Sequence, residues 1–378
     1  MSATEQRRAV TGPVVFVDLA AQHREVEAEV AEGFARVMGA TAFIGGPDVA
    51  RFERSWAAYT GTRHAIGVAN GTDALELAMR ALGIGPGDEV IVPTNSFVAS
   101  AVAVARAGAR PTFVDCDPLH LLIDPDRISD AINERTRAIM PVHLYGQIAP
   151  MEAIVPIAAR AGLSIVEDAA QCHGATRHGQ RAGAWGAAAA TSFYPGKNLG
   201  AYGDAGGVAT NDDALAGTLA AIRNYGSVHK YEHPELGFNS RLDTLQAVVL
   251  AAKLARLDGW NDARREAAAR YDALLAEVAG VVRPAVLPGN EAVWHLYVVQ
   301  VDDRDGVLAR LQEAGVQAGI HYPVPIHLQG AFAELGYGPG DFPVAEQAAG
   351  RILSLPMHPH LSAPHQERVV EALVAALR

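Results

Sequence analysis

One lysine, Lys197, stands in the stretch Thr191-Ser192-Phe193-Tyr194-Pro195-Gly196-Lys197-Asn198-Leu199-Gly200-Ala201-Tyr202-Gly203-Asp204, in a bend between Pro195-Gly196 and Gly200. The chemistry open to a lysine so placed is attack on a carbonyl, which a protonated amine cannot perform until its surroundings lower its pKa. The small residues on either side leave room for a bulky planar partner, and Ser192 supplies a hydroxyl close by in sequence. Two readings fit: a Schiff-base lysine holding pyridoxal phosphate (PLP), or a lysine in a surface turn, because a short motif has many accidental matches.

Other residues suited to the same cofactor recur where strands are expected to end. Asn70-Gly71-Thr72-Asp73 enters a helix, and the N–H groups of Gly71 and Thr72, the Thr72 hydroxyl and the helix dipole suit a phosphate. The alternative is a plain helix cap served by Asp73. Phe97 follows the next strand and can stack on a flat ring, or simply pack in the core. Asp168, at the end of an apolar strand, can pair with a protonated pyridine nitrogen or cap a helix, and Gln171 can reach a phenolic oxygen. The order along the chain is that of a cofactor: phosphate turn, ring platform, ring-nitrogen acid, Ser192, Lys197.

These groups need rigid supports. Apolar runs over 64–69, 89–93, 110–114, 138–142 and 163–167 read as strands, and helical spacing appears over 73–82, 99–107 and 152–161. Strands alternating with helices predict an α/β domain with a mainly parallel sheet covered on both faces, its ligand groups at the carboxyl ends of the strands. A helix is expected from Asp48 to Gly61, and a further strand over 206–210. Residues 224–241, rich in glycine, aromatics and histidine, read as a long functional loop. Helical patterns follow over 242–260 and 263–279, then strands at 294–301 and 321–322 and a closing helix at 364–377. The division expected is an N-terminal arm with a large domain over 1–250 and a small C-terminal α/β domain over 251–378, with residues 1–12 a loose tail.

Composition narrows the partners. The 378 residues are 49% hydrophobic and 19% charged, an ordinary globular balance. A formal net charge of -11 argues against a nucleic-acid or anionic-membrane surface, so a phosphate must be bound by local devices. Cys116 and Cys172 show neither metal spacing nor a disulfide framework, which suits a reducing cytoplasm. No apolar run approaches the ~20 residues of a membrane helix, and the N-terminus lacks the core of a signal peptide. His358-Pro359-His360 has no metal-site spacing, so no metal is expected.

The stretches GTDAL at 71–75, EDAAQCHGA at 167–175, SFYPGKNLGAYGDAGG at 192–207 and FNSRLDTLQAVVL at 238–250 resemble the DegT/DnrJ/EryC1/StrS family of sugar aminotransferases. The resemblance implies a fold-type I PLP enzyme with a mainly parallel seven-stranded sheet. It implies Lys197 as the Schiff-base lysine and acid/base, Asp168 on the pyridine nitrogen, Gln171 on the phenolic oxygen and Phe97 against the ring. Gly71, Thr72 and Ser192 would hold the phosphate, with Asn239 arriving from the partner of a homodimer. L-Glutamate would give its amino group, leaving 2-oxoglutarate and pyridoxamine phosphate (PMP), and a nucleotide-linked keto sugar would receive it. Tyr194, Lys230, His321 and Tyr322 resemble substrate contacts of members acting at C3 of dTDP-3-keto-6-deoxyhexoses. The alternatives are amination at C4, an inosose acceptor, or a PLP-binding regulator without turnover.

Overall fold

Residues 12–378 are described by the computed structural model, so all but the last residue of the expected tail lies outside the described residues. Two helices lead in. α1 (Leu19–Ala40) is capped by the Asp18 carboxylate on the Ala21 N–H, and α2 (Pro47–Thr60) opens on proline and stops at Gly61 in the left-handed conformation. The alternating body follows: β1 (His64–Val68), α3 (Gly71–Ala81), β2 (Glu89–Pro93), α4 (Ala99–Ala107), β3 (Arg110–Val114), α5 (Pro125–Ala131), β4 (Thr136–Ile139), α6 (Met151–Ala161) and β5 (Ser164–Asp168). A short hairpin, β6 (Thr176–Arg177) and β7 (Gln180–Arg181), precedes β8 (Ala188–Ser192), β9 (Gly206–Thr210) and α7 (Asp213–Ile222).

The seven strands lie in the order β1-β9-β8-β5-β4-β2-β3. Each pair from β8 to β3 is parallel, and β9 runs antiparallel to both β1 and β8. Helices cover both faces, so β2 and β9 are buried along their whole length and read as continuous apolar runs. The predicted mainly parallel seven-stranded sheet is the one observed. Because β1, β2, β5 and β8 point the same way, Asn70, Phe97, Asp168 and Ser192 follow or end strands at one edge of the sheet.

The rest of the chain forms α8 (Thr244–Leu254), α9 (Leu257–Leu274), a two-residue strand β10 (Asn290–Glu291), β11 (Tyr297–Gln300), α10 (Arg304–Glu313), α11 (Pro343–Arg351), β12 (Ile352–Leu355) and α12 (Ala363–Ala376). Tyr271, Tyr297, Leu311, Leu353 and Leu373 close a second core that also takes in Val14.

Several local expectations are corrected. α3 starts at Gly71, not Asp73, because Asn70 is the cap: its Oδ1 accepts the Asp73 N–H at 2.8 Å. β4 stops at Ile139, and Val142 joins the sheet only by a bridge to Asp168. The helical run from 242 breaks after Leu254, where the Arg256 N–H closes a turn on the Lys253 carbonyl. His321-Tyr322 is not a strand but an irregular segment joined by a cis peptide. The strand that pairs with β11 is β12, whose four buried residues are too few to announce a period.

Candidate active site

One pole of the site is built for an anion. Gly71 opens α3, so its N–H and that of Thr72 belong to the first helical turn and have no intrahelical acceptor. Glycine is required there by a close approach: a Cβ on Gly71 would lie 2.5 Å from Ser192 Cβ. Gly206 fills the gap between the ends of β1 and β8, and a Cβ on it would lie 2.3 Å from the Asn70 carbonyl oxygen. Ser192 Oγ accepts from the Tyr194 N–H at 3.3 Å and keeps its own proton to donate. Asp73, also in this first turn, would repel an anion were its charge not engaged. Its Oδ2 accepts from Ser240 Oγ at 2.8 Å, and its Oδ1 lies 3.2 Å from the Arg106 guanidinium.

The other pole is an acid. Asp168 is buried at the end of β5, and its Oδ2 accepts from Ser100 Oγ at 2.7 Å while Oδ1 accepts from the Ala170 N–H at 3.2 Å. Burial raises its pKa, against the pull of those hydrogen bonds and of the nearby Lys197 charge. The alternative role as a helix cap falls away, because the next helix along the chain, α7, starts only at Asp213. Beneath it, fully buried Glu167 accepts from Gly183, Trp185 and Gly186 N–H groups and from His143 Nε2 at 2.8 Å. The Ala149 N–H donates to His143 Nδ1, so the ring proton sits on Nε2. Burial would raise Glu167, but the His143 bond and backbone donors outweigh it and hold the carboxyl below its usual range.

Lys197 is half-buried, near enough to Asp168 and Cys172 to feel their charge. Its backbone N–H closes a turn on the Tyr194 carbonyl at 2.8 Å. Burial brings its pKa down to about 8, with Asp168 and Cys172 pulling the other way. Half-buried in its turn, it is more enclosed than a lysine on an open surface.

Gln171 is held at both ends of its amide: Oε1 accepts from the Tyr145 N–H at 2.8 Å, and Nε2 donates to the Tyr322 hydroxyl oxygen at 3.1 Å. The phenolic proton of Tyr322 is thereby left free to donate elsewhere. Phe97 is 51% exposed with its ring 5.1 Å from that of Tyr322, so it is an exposed ring and no core residue. His321 stacks on Phe16, pairs through Nδ1 with Ser354 Oγ at 2.8 Å, and offers its carbonyl to the Tyr145 hydroxyl. Burial lowers its pKa to about 4.

A planar aldehyde with a phosphate and a ring nitrogen matches this set: anion cradle, aromatic wall, buried acid and a lowered lysine at one sheet edge. Ser100, Tyr145 and Ser240 were not anticipated. Ser100 had one signal, a lone hydroxyl in the otherwise apolar Ala99 to Ala105 run. Three residues stand apart. Tyr194 is 59% exposed, and Lys230 points over its own Tyr231 ring at 5.1 Å. Asn239 is exposed and bridges Asn224 through the backbone, though its neighbour Ser240 touches α3. No group of three or more His, Cys, Asp or Glu able to hold a metal occurs among the described residues, and no helix there is long and apolar enough to cross a membrane.

Known proteins similar to this chain in sequence and in fold are numerous. The profile of the DegT/DnrJ/EryC1/StrS aminotransferase family matches residues 24–374. A dTDP-3-amino-3,4,6-trideoxy-alpha-D-glucose transaminase of Streptomyces venezuelae is 48% identical over 97% of both chains. A protein of Geobacillus stearothermophilus called a pleiotropic regulatory protein is 47% identical over 97% of this chain and 99% of its own. The crystal structure of S. venezuelae DesV in complex with a ketimine intermediate superposes with a TM-score of 0.95 at 48% identity, covering 97% of this chain and 100% of that one. The structure of NtdA from Bacillus subtilis with bound cofactor PMP gives 0.91 at 33% identity, covering 98% and 87%.

Proposed function

We infer the function from one premise: this chain belongs to the DegT/DnrJ/EryC1/StrS aminotransferase family and is a PLP-dependent sugar aminotransferase. We propose that its acceptor is a nucleotide-linked keto sugar, aminated at C3 of a dTDP-3-keto-6-deoxyhexose, with L-glutamate as donor. Support for the acceptor comes from the S. venezuelae relative, named for a dTDP-3-amino sugar. The observation that carries the chemistry is Lys197, its amine lowered by burial and set beside Asp168.

In this reading Gly71, Thr72 and Ser192 hold the phosphate, Phe97 walls the ring, Gln171 with Tyr322 faces the phenolic oxygen, and Asp168 keeps the pyridine nitrogen protonated. When bound, PLP supplies an electron sink for the pair released as a donor Cα–H bond breaks. Lys197 would anchor the cofactor until the donor amine displaces it, and its freed Nζ would then take the Cα proton of the donor. In the second half-reaction the same Nζ would deliver a proton to the sugar carbon that receives nitrogen. Tyr194 and His321 line the approach of the hexose. The second subunit of a homodimer completes the site, its Asn239 reaching the phosphate and its Lys230 the sugar diphosphate. The arm that carries them exposes Tyr231 to 84% and Leu236 to 97%, apolar surface that a second copy would cover.

Loaded protein should be yellow, and borohydride followed by peptide mapping should place the cofactor on Lys197. Lys197→Ala should abolish transamination. Mass spectrometry of products from dTDP-3-keto and dTDP-4-keto sugars with glutamate assigns the position. Cofactor bound at Lys197 with no turnover on any sugar would instead support a regulator, the role named for the Geobacillus relative.

A further inference from the structure

Asn198 follows Lys197 and is fully buried. Its Nδ2 donates to the Val293 carbonyl and to Asn261 Oδ1, both at 2.9 Å, and Asn261 Nδ2 donates to the His173 carbonyl at 2.8 Å. A backbone carbonyl can only accept, so the orientation of both amides is fixed. Asn198 Oδ1 is then an obligatory acceptor, and its partner at 3.1 Å is His295 Nδ1. That nitrogen must carry the ring proton.

The backbone of His295 is clamped. The buried Arg264 guanidinium donates through one nitrogen to the carbonyls of Trp294 at 3.1 Å and Met357 at 3.0 Å, with the His295 carbonyl at 3.4 Å. On the other side Gly146 packs so close that a Cβ there would lie 2.8 Å from the His295 nitrogen. The titratable groups facing His295 are Lys197, Arg264, His173 and His321, all cations when charged, and burial with this field holds its pKa well below the ordinary value. Those facing Lys197 are the Asp168 carboxyl, the Cys172 thiol and the imidazoles of His173, His295 and His321.

We propose that His295 is a positioning residue for Lys197, acting through Asn198 with its neutral ring locked as the Nδ1–H tautomer. The inference rests on the reading of Lys197 as the reactive amine. A lysine whose neighbour is bolted to the second half of the chain cannot swing toward solvent, so it keeps the desolvation that leaves part of its amine neutral. Glutamine at 295 offers no donor at the Nδ1 position, whereas the amide nitrogen of asparagine stands where Nδ1 does.

The test uses the full chain without cofactor. Competitive acylation with acetic anhydride across pH should titrate Lys197 near 8 in the wild type. His295→Gln should raise that midpoint by at least about one unit as the amine regains water, and His295→Asn should bring it back. An unchanged midpoint in His295→Gln overturns the proposal. Nitrogen-15 NMR of histidine-labelled wild-type protein gives an answer that needs no variant to fold: protonation at Nδ1 alone is expected at neutral pH, and a proton on Nε2 overturns it. A wild-type Lys197 that titrates like a free lysine would overturn the reading of that lysine, and this inference with it.

Discussion

Ser100 donates a 2.7 Å hydrogen bond to Asp168 from a helix whose neighbouring side chains are alanine and valine. The same hydroxyl accepts from Ser96 Oγ at 3.0 Å, so a short relay of serines holds the acid at a fixed angle. Asp168→Asn should bind some cofactor yet lose at least ~3 kcal/mol of transition-state stabilisation, because a neutral amide does not keep the pyridine nitrogen protonated. Ser100→Ala should cost less, about 1–2 kcal/mol, and act on kcat rather than on folding. Steady-state kinetics decide both; near-normal kcat in Asp168→Asn would reduce that residue to a structural acid.

Cofactor uptake should follow the ionisation of Lys197. Burial lowers its pKa from 10.5 to about 8, so the neutral, attacking amine dominates above about 8. The rate of PLP capture by cofactor-free protein, followed by stopped-flow absorbance, should rise through that pH instead of near 10.5. The stability sign agrees. Between those two values the unfolded chain binds the extra proton, so this site makes folding more favourable as pH rises across the window. A capture rate flat across it would remove the lysine from the step.

Gly71→Ala tests the anion cradle. The added methyl would enter the space of Ser192, where backbone and Cβ must shift to admit it. Affinity for PLP, measured by absorbance titration, should fall at least about tenfold, equivalent to about 1.4 kcal/mol. Affinity for pyridoxal without phosphate should change far less. Equal losses for both ligands would show that the variant damages the fold and not the cradle.

The proposed homodimer is open to a test by complementation. Lys197→Ala and Asn239→Asp are each expected to be inactive, the second because its new charge repels phosphate. A mixed dimer then holds one site with both defects and one with neither, and activity should return in part. Exchanged heterodimers that stay inactive, with both chains folded and each parent shown to be inactive, would assign Asn239 to its own subunit or to no role.

How much of this was legible follows from distance along the chain. Lys197, Asp168 and the Gly71 turn announce themselves because the constraint is local: glycines beside a lysine, an acid after an apolar run, a glycine at a helix start. The partners that tune them come from afar. Ser100 reaches Asp168 across 68 residues, and His295 reaches Asn198 across 97. No periodicity carries such pairings, and the Ser100 hydroxyl was legible only as an oddity. Asp73 was misjudged for the same reason. It looks like a helix cap, and what neutralises it, Arg106 and Ser240, sits in other elements. β12 escaped because a strand of four buried residues matches a short helix segment as well.

The pairing of residues 64–68 with 206–210 sets a timetable for the molecule as it is made. The phosphate turn leaves the ribosome early, but the glycine that completes its floor, Gly206, is joined only after Ser192 and Lys197 have been added. Until then β1 has no neighbour in the sheet, and the Asn70 carbonyl beside the first turn of α3 lacks the backbone that packs on it. A nascent chain therefore acquires its lysine before it has a socket for the cofactor. Stalled chains ending before residue 206 should not retain PLP, whereas the full 378 residues held clear of the ribosome by an added C-terminal linker should.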